Sequence, residues 1–206
     1  MKKNDADMFV YEKELTAKGC RFIAGVDEAG RGPLAGPVFA AACICDLANP
    51  VCGVNDSKAL TPKKRGELYE KIVATAVSYK VISVSNEKID EINILEATKF
   101  AMTEAIESLF PLPDHVLIDA VRLKIPFPFT ALIHGDALSH SIAAASILAK
   151  VERDRIMLEY AEKYPEYGFE SHKGYGSAHH IEMIKKYGPC PIHRRSFLKK
   201  ILGEDA

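Results

Sequence analysis

The 206-residue sequence contains no tryptophan, no Cys-x-x-Cys pair and no apolar run long enough to cross a bilayer as a helix. The last absence argues against a membrane protein. The charged start, Met1-Lys2-Lys3-Asn4-Asp5, has no apolar stretch of the kind that opens a secretory leader, so an untargeted cytoplasmic protein is expected. Five cysteines form an odd set without paired spacing, which argues against a disulfide framework and fits a reducing compartment. Cys43-x-Cys45 has strand spacing, so both thiols face one side, and packed thiols are preferred over metal ligands. A surplus of positive charge is also missing: 27 Lys and Arg stand against 28 Asp and Glu. Overall charge therefore does not mark a nucleic-acid binder. Bases do cluster locally at Lys63-Lys64-Arg65, Lys185-Lys186, Arg194-Arg195 and Lys199-Lys200, and acids neutralised in a metal site would leave them less opposed.

Glycine and proline are not gathered into a linker or repeat, and 48% apolar content is enough for one core that buries roughly 70% of the unfolded surface. We read residues 1–206 as a single domain, with a core over 21–160 and a helical C-terminal part over 161–206. Strands are expected over 21–27, 37–46 and 79–85, with short buried strands at Val116-Leu117-Ile118 and Ala131-Leu132-Ile133. Helices are expected over 8–19, from the Thr61-Pro62 cap to about Val77, from Asp90 to Phe110, from Ser141 to Tyr160, and over 178–187 and 194–202. This order predicts an α/β fold with a mixed sheet.

The most informative stretch is Gly25-Val26-Asp27-Glu28-Ala29-Gly30-Arg31-Gly32. An apolar strand ends in two carboxylates, and Gly-Arg-Gly follows at once. Glycines admit close approach of a phosphodiester or sugar, and arginine supplies forked donors. Two further apolar runs lead to acids, Ile118-Asp119 and Ile133-His134-Gly135-Asp136. If the strand ends adjoin, four carboxylates meet at one sheet edge, and divalent cations relieve their repulsion. Asp27 and Glu28 converge only if the strand breaks there, since successive side chains on a strand alternate faces. A single acid after a strand is ordinarily a turn residue; three such endings, one beside Gly-Arg-Gly, favour phosphoryl chemistry on a nucleic acid.

These blocks resemble the bacterial ribonuclease HII (type 2 ribonuclease H) family from about Arg21 to Leu198. The resemblance also rests on Asn55-Asp56-Ser57-Lys58, the run Ile142 to Lys150, Arg153-Asp154, Lys173-Gly174-Tyr175-Gly176 and His193-Arg194-Arg195-Ser196-Phe197. It implies a ribonuclease H-like fold with a mixed central sheet, flanking helices and a helical C-terminal segment. It implies a metal-dependent endonuclease that hydrolyses RNA in RNA–DNA hybrids. Incision 5′ to ribonucleotides embedded in duplex DNA, leaving 3′-hydroxyl and 5′-phosphate ends, also follows from it. By the same resemblance Asp27, Glu28, Asp119 and Asp136 bind Mg²⁺ or Mn²⁺, two ions during catalysis. Gly30, Arg31 and Gly32 read the 2′-hydroxyl, Tyr175 packs on the sugar of the next, deoxy, nucleotide, and Lys58 contacts phosphate. A monomer is expected.

The residues alone leave some roles open. Tyr175 reads equally as a tyrosine exposed in a turn, and Lys58 as a surface lysine. His134 and His140 read as solvated or capping residues, and His172, His179 and His180 as a solvated loop and helix start, with a place in the substrate groove as the alternative. Arg194-Arg195 suits either a phosphate contact or a clamp on an acidic neighbour. Departures from the family pattern are Ala120-Val121, where glycine usually follows the third acid, His134 in place of lysine, and Ser177 in place of threonine. None touches an acid, so activity is expected to survive. Competing readings are a noncatalytic nucleic-acid-binding module and a ribonuclease HIII-like hybrid nuclease. The latter family typically carries lysine at the position of Arg31 and an additional N-terminal domain, for which this length is expected to leave no room.

Overall fold

The computed structural model describes residues 7–55, 57 and 60–203. Five strands, β1 (Ile23–Ala29), β2 (Val38–Ile44), β3 (Ser78–Val84), β4 (His115–Asp119) and β5 (Phe129–Leu132), form a mixed sheet ordered β3-β2-β1-β4-β5. β2 runs antiparallel to both its neighbours, whereas β4 and β5 run parallel to β1.

Strand alternation divides the apolar residues between two faces. Ala24, Val26, Ala40, Ala42 and Ile118 pack on one side beneath α4 (Ile94–Glu107), while Phe39, Ala41 and Cys43 pack on the other against α5 (His140–Lys163) and α2 (Pro62–Thr75). Small residues bring α5 close: a Cβ on Gly25 would fall 2.0 Å from the Ser141 carbonyl carbon. The Ala143-Ala144-Ala145 run is fully buried against the sheet, as its composition predicts. Cys43 and Cys45 lie with their sulfurs 3.7 Å apart, both free, which bears out packed thiols.

The helix expected from Asp90 to Phe110 is two helices, α3 (Asn86–Ile92) and α4, broken at Asn93 with φ +67°. The Asn93 side chain accepts from the Leu95 and Glu96 amides and so caps α4. After α5 come α6 (Phe169–His172), α7 (Ala178–Tyr187) and α8 (Arg195–Leu202), which share a third apolar cluster built on Phe169, Ile184, Ile192 and Leu198. A short helix, α1 (Val10–Ala17), covers the edge near Leu15 and Ile142.

Candidate active site

β1 lies between β2 and β4, and its register pairs Val26 with Ile118. Continuing the ladder by one residue sets Asp27 beside Asp119 on the face that packs on α5, the face also occupied by Gly25 and Leu117. β5 stops at Leu132, opposite Asp119, and the chain turns through Ile133 and His134 into a short 3-10 segment, Gly135–Ala137. That turn is tied to the third acid: the Gly135 amide donates to Asp119 Oδ1 at 2.7 Å. Asp136, next in the chain, is buried.

Asp27 is 5% exposed, and its carboxyl sits well above the ordinary carboxylate range. Burial is the main cause, followed by the charges of Glu28 and Asp119; hydrogen bonds from Ser146 and the Glu28 amide act against them. A strand break between Asp27 and Glu28 was expected. Instead β1 continues through Ala29 because its pairing with β2 persists to Phe39, and the break comes at Gly30. Glu28 thus starts from the alternate face, yet its charge still reaches Asp27 and its Oε1 lies 3.5 Å from Arg31 Nη1. Ile133, expected in a buried strand, lies outside β5 and is exposed.

The donors at this edge are hard carboxylate oxygens, and the charges of Glu28 and Asp119 raise the cost of a charge on Asp27, which suits divalent cations. Among the described residues, no three acid, histidine or cysteine side chains already form a closed metal-binding group. The fit rests on the donor set and on the unfavourable charge of Asp27.

Beside the acids, Gly30 takes φ +96°, a conformation suited to glycine, and a Cβ there would strike the Arg153 side chain at 2.0 Å. Arg31 is exposed. Tyr175, 47% exposed, has its ring edge 3.6 Å from where a Gly32 Cβ would sit. The glycine loop and the tyrosine, more than a hundred positions apart in sequence, therefore stand side by side. Lys58 lies outside the described residues.

The ribonuclease HII family model matches residues 24–200, spanning the strands, the glycine loop and Tyr175. The chain belongs to the ribonuclease HII family. It is 56% identical over 200 residues to a ribonuclease HII of Caldicellulosiruptor bescii, covering 97% of both chains. The crystal structure of ribonuclease H2 from Pyrococcus horikoshii OT3 superposes with a TM-score of 0.77 at 33% identity, over 89% of this chain and 98% of that one. A PCNA:RNase HII complex from Archaeoglobus fulgidus gives 0.72 at 28%, covering 85% and 94%.

Several residues in the family's blocks hold the site rather than line it. Ser146 bonds to Asp27, and its hydroxyl oxygen lies 2.7 Å from that of Ser57. Arg65, taken from sequence as part of a basic cluster, is buried and donates to the Ser57 and Leu60 carbonyls, tethering that loop. Arg194 is the clearest departure from expectation. The acidic neighbour expected of Arg194-Arg195 is Asp90, which accepts from the Arg195 amide at 2.7 Å, but the Arg194 guanidinium is fully buried and donates to the carbonyls of Gly30, Arg31, Pro33 and Gly36 at 2.6–2.9 Å. A turn with this many inward carbonyls needs a buried multiple donor, and the planar guanidinium provides it. Arg153 adds bonds to Ala35 and Pro37. His140 is buried and stacked on Phe9, while His180 is buried and bonded to the Tyr175 carbonyl. Sequence reads His180 as part of a solvated loop and helix start and His140 as solvated or capping; His140 does open α5, but its ring stacks on Phe9, and the His180 ring is enclosed by the C-terminal cluster. Asn55, Lys150 and Asp154 belong to the same blocks; Lys150 pairs with Asp154 at 2.6 Å.

Proposed function

We propose that this chain is a divalent-metal-dependent endoribonuclease that hydrolyses RNA paired with DNA and incises 5′ to ribonucleotides embedded in duplex DNA, in the service of DNA replication and repair. The supporting observation is the meeting of Asp27, Asp119 and the Gly135-Asp136 turn at one sheet edge, beside the Gly32–Tyr175 contact. Family membership gives the reaction class; the site geometry suggests how it is carried out.

Asp27, Glu28, Asp119 and Asp136 are the residues that would hold the cations, Mg²⁺ or Mn²⁺. When bound, two such ions supply an activated water and charge stabilisation at the leaving oxygen of an in-line displacement. The protein's own groups do the positioning. Arg31, exposed and anchored near Glu28, presents a fork of donors at the ribose. The backbone of Gly30 and Gly32 lets a 2′-hydroxyl approach, the group that separates RNA from DNA. The Tyr175 ring stands where the following sugar would lie, and a hydroxyl there would crowd it. All of these groups come from one chain, which supports action as a monomer. Five free cysteines support a reducing, cytoplasmic setting. Among the described residues no helix is long and apolar enough to cross a membrane.

A noncatalytic module would leave the repelling acids without a purpose. Asp136→Asn decides between the two: the variant is expected to bind a duplex carrying one ribonucleotide with wild-type affinity and to cleave it at least about 10²-fold more slowly, as expected when a metal-assisted step loses a ligand. Cleavage by the wild type should stop in EDTA. Undiminished cleavage by Asp136→Asn would remove the metal assignment.

A further inference from the structure

Beneath Tyr175 lies a group of side chains that the metal and the ribose leave unused: the half-buried His172 and the buried His180, Cys190 and His193. Their hydrogen bonds run in a determinate direction. A backbone amide can only donate, so the Cys190 N–H at 3.0 Å requires a bare Nδ1 on His193 and places that residue's proton on Nε2. His193 Nε2 lies 3.0 Å from His180 Nε2, which must then accept and be bare in turn. His180 is left with its proton on Nδ1, 2.8 Å from the Tyr175 carbonyl, which can only accept. The reverse arrangement would protonate His193 at Nδ1, 3.3 Å from the Cys190 carbonyl, oppose the Cys190 amide and require a doubly protonated His180. Burial pushes both imidazoles down to about 4, which keeps them neutral.

Four further contacts fix the same turn. His172 stacks on His180 with ring centroids 4.4 Å apart; its Nδ1 accepts from the Gly174 amide, and its Nε2 donates to the Tyr167 carbonyl. The Leu34 amide donates to the Gly174 carbonyl, joining the tyrosine turn to the glycine loop.

We propose that His180 is a positioning residue for junction recognition: the chain Cys190 to His193 to His180 fixes the Tyr175 backbone and so sets where its ring stands beside Gly32. Arg194, the residue after His193, holds the opposite loop by its carbonyls. One short segment thereby sets the spacing between the two halves of the ribose reader. This rests on the reading of Tyr175 as the residue packed on the deoxy sugar.

Long-range ¹H–¹⁵N spectra of the intact protein at neutral pH test the chain without reference to activity. His180 is expected as the Nδ1–H tautomer and His193 as the Nε2–H tautomer; His180 found with its proton on Nε2 overturns the proposal. Kinetics test the consequence through the rate ratio between a duplex with one embedded ribonucleotide and a uniform RNA–DNA hybrid, whose next sugar already carries the hydroxyl. Tyr175→Ala and His180→Phe are expected to lower this ratio in the same sense, His180→Phe by about tenfold, equivalent to ~1.4 kcal/mol of transition-state discrimination. His180→Asn, whose amide still donates near the Nδ1 position, should recover most of it. A general structural defect would lower both rates together. If Tyr175→Ala shifts the ratio while a folded His180→Phe does not, the positioning role fails and the tyrosine's role stands. If Tyr175→Ala leaves the ratio unchanged, both fail. Should His180→Phe not fold, His180→Asn and the wild-type spectra decide.

Discussion

Ala120 follows the third acid and adopts φ +50°, and its amide donates to the Leu132 carbonyl at the end of β5. An L-residue in this conformation costs about 1–2 kcal/mol, of which glycine avoids most. The sequence marks the position, because the family usually carries glycine there, but only the backbone explains that preference. Ala120→Gly is accordingly expected to raise stability by about 1 kcal/mol, or roughly 2–4 °C in melting temperature for a chain of this size, with cleavage retained. Thermal denaturation monitored by circular dichroism measures it. His134 is also left-handed, at φ +57°, but histidine accommodates this region more readily than most residues. Ser177 caps α7, its hydroxyl accepting from the His180 amide, a bond that a threonine hydroxyl could make equally. Other residue roles were hidden from sequence reading by their chemical type. A charged Arg194 or an imidazole such as His180 reads as surface until the carbonyls that surround it are known.

At the level of elements, most of the architecture was legible. The five strands in outline, the cap at Thr61 and the long α5 follow from local pattern; of the three acid endings only that of β4, at Asp119, coincides with a strand end, and Thr61 does accept from the Lys64 amide. The divided helix did not, because apolar periodicity continues across Asn93 while the backbone reverses there. The full length of β1 was hidden for another reason: the partner that prolongs it, β2, lies beyond the glycine turn. Gly25 lets the backbone of the first turn of α5 lie directly against β1. Gly25→Ala drives a methyl group into the Ser141 backbone, which cannot rotate away, and displaces the strand that carries Asp27. A loss of about 3 kcal/mol or more is expected in urea denaturation, the upper range for overpacking a core. Wild-type stability in that variant would show that the helix and strand are further apart than described.

Across the whole molecule, recognition and stability pull in opposite directions at the acidic edge. Asp27 has a raised pKa in the folded state, so the folded protein holds its proton to higher pH than the unfolded chain does. The stabilisation from the protonated form is present at low pH and is lost as pH rises through that elevated value. Above that elevated value and without metal, the buried charge is a net cost. Asp27→Asn should therefore raise the melting temperature of the metal-free protein by about 2–4 °C for each kcal/mol relieved, while cleavage is lost. Mg²⁺ should raise the wild-type melting temperature more than that of the variant. Equal melting temperatures for wild type and variant in EDTA would contradict this account. Formal charge near zero concealed this conflict, because composition does not reveal which acids share an edge.

The carbonyls that Arg194 satisfies belong to residues 30–36, so the loop proposed to meet the ribose is completed by a side chain from the far end of the polypeptide. During synthesis the four acids emerge from the ribosome long before the proposed ribose-reading loop can close. A nascent chain halted before Cys190 holds every proposed metal ligand and the Arg153 contacts to Ala35 and Pro37 but lacks the guanidinium that gathers the carbonyls of residues 30–36, so translation order itself would delay the proposed ribose discrimination until the last helix arrives.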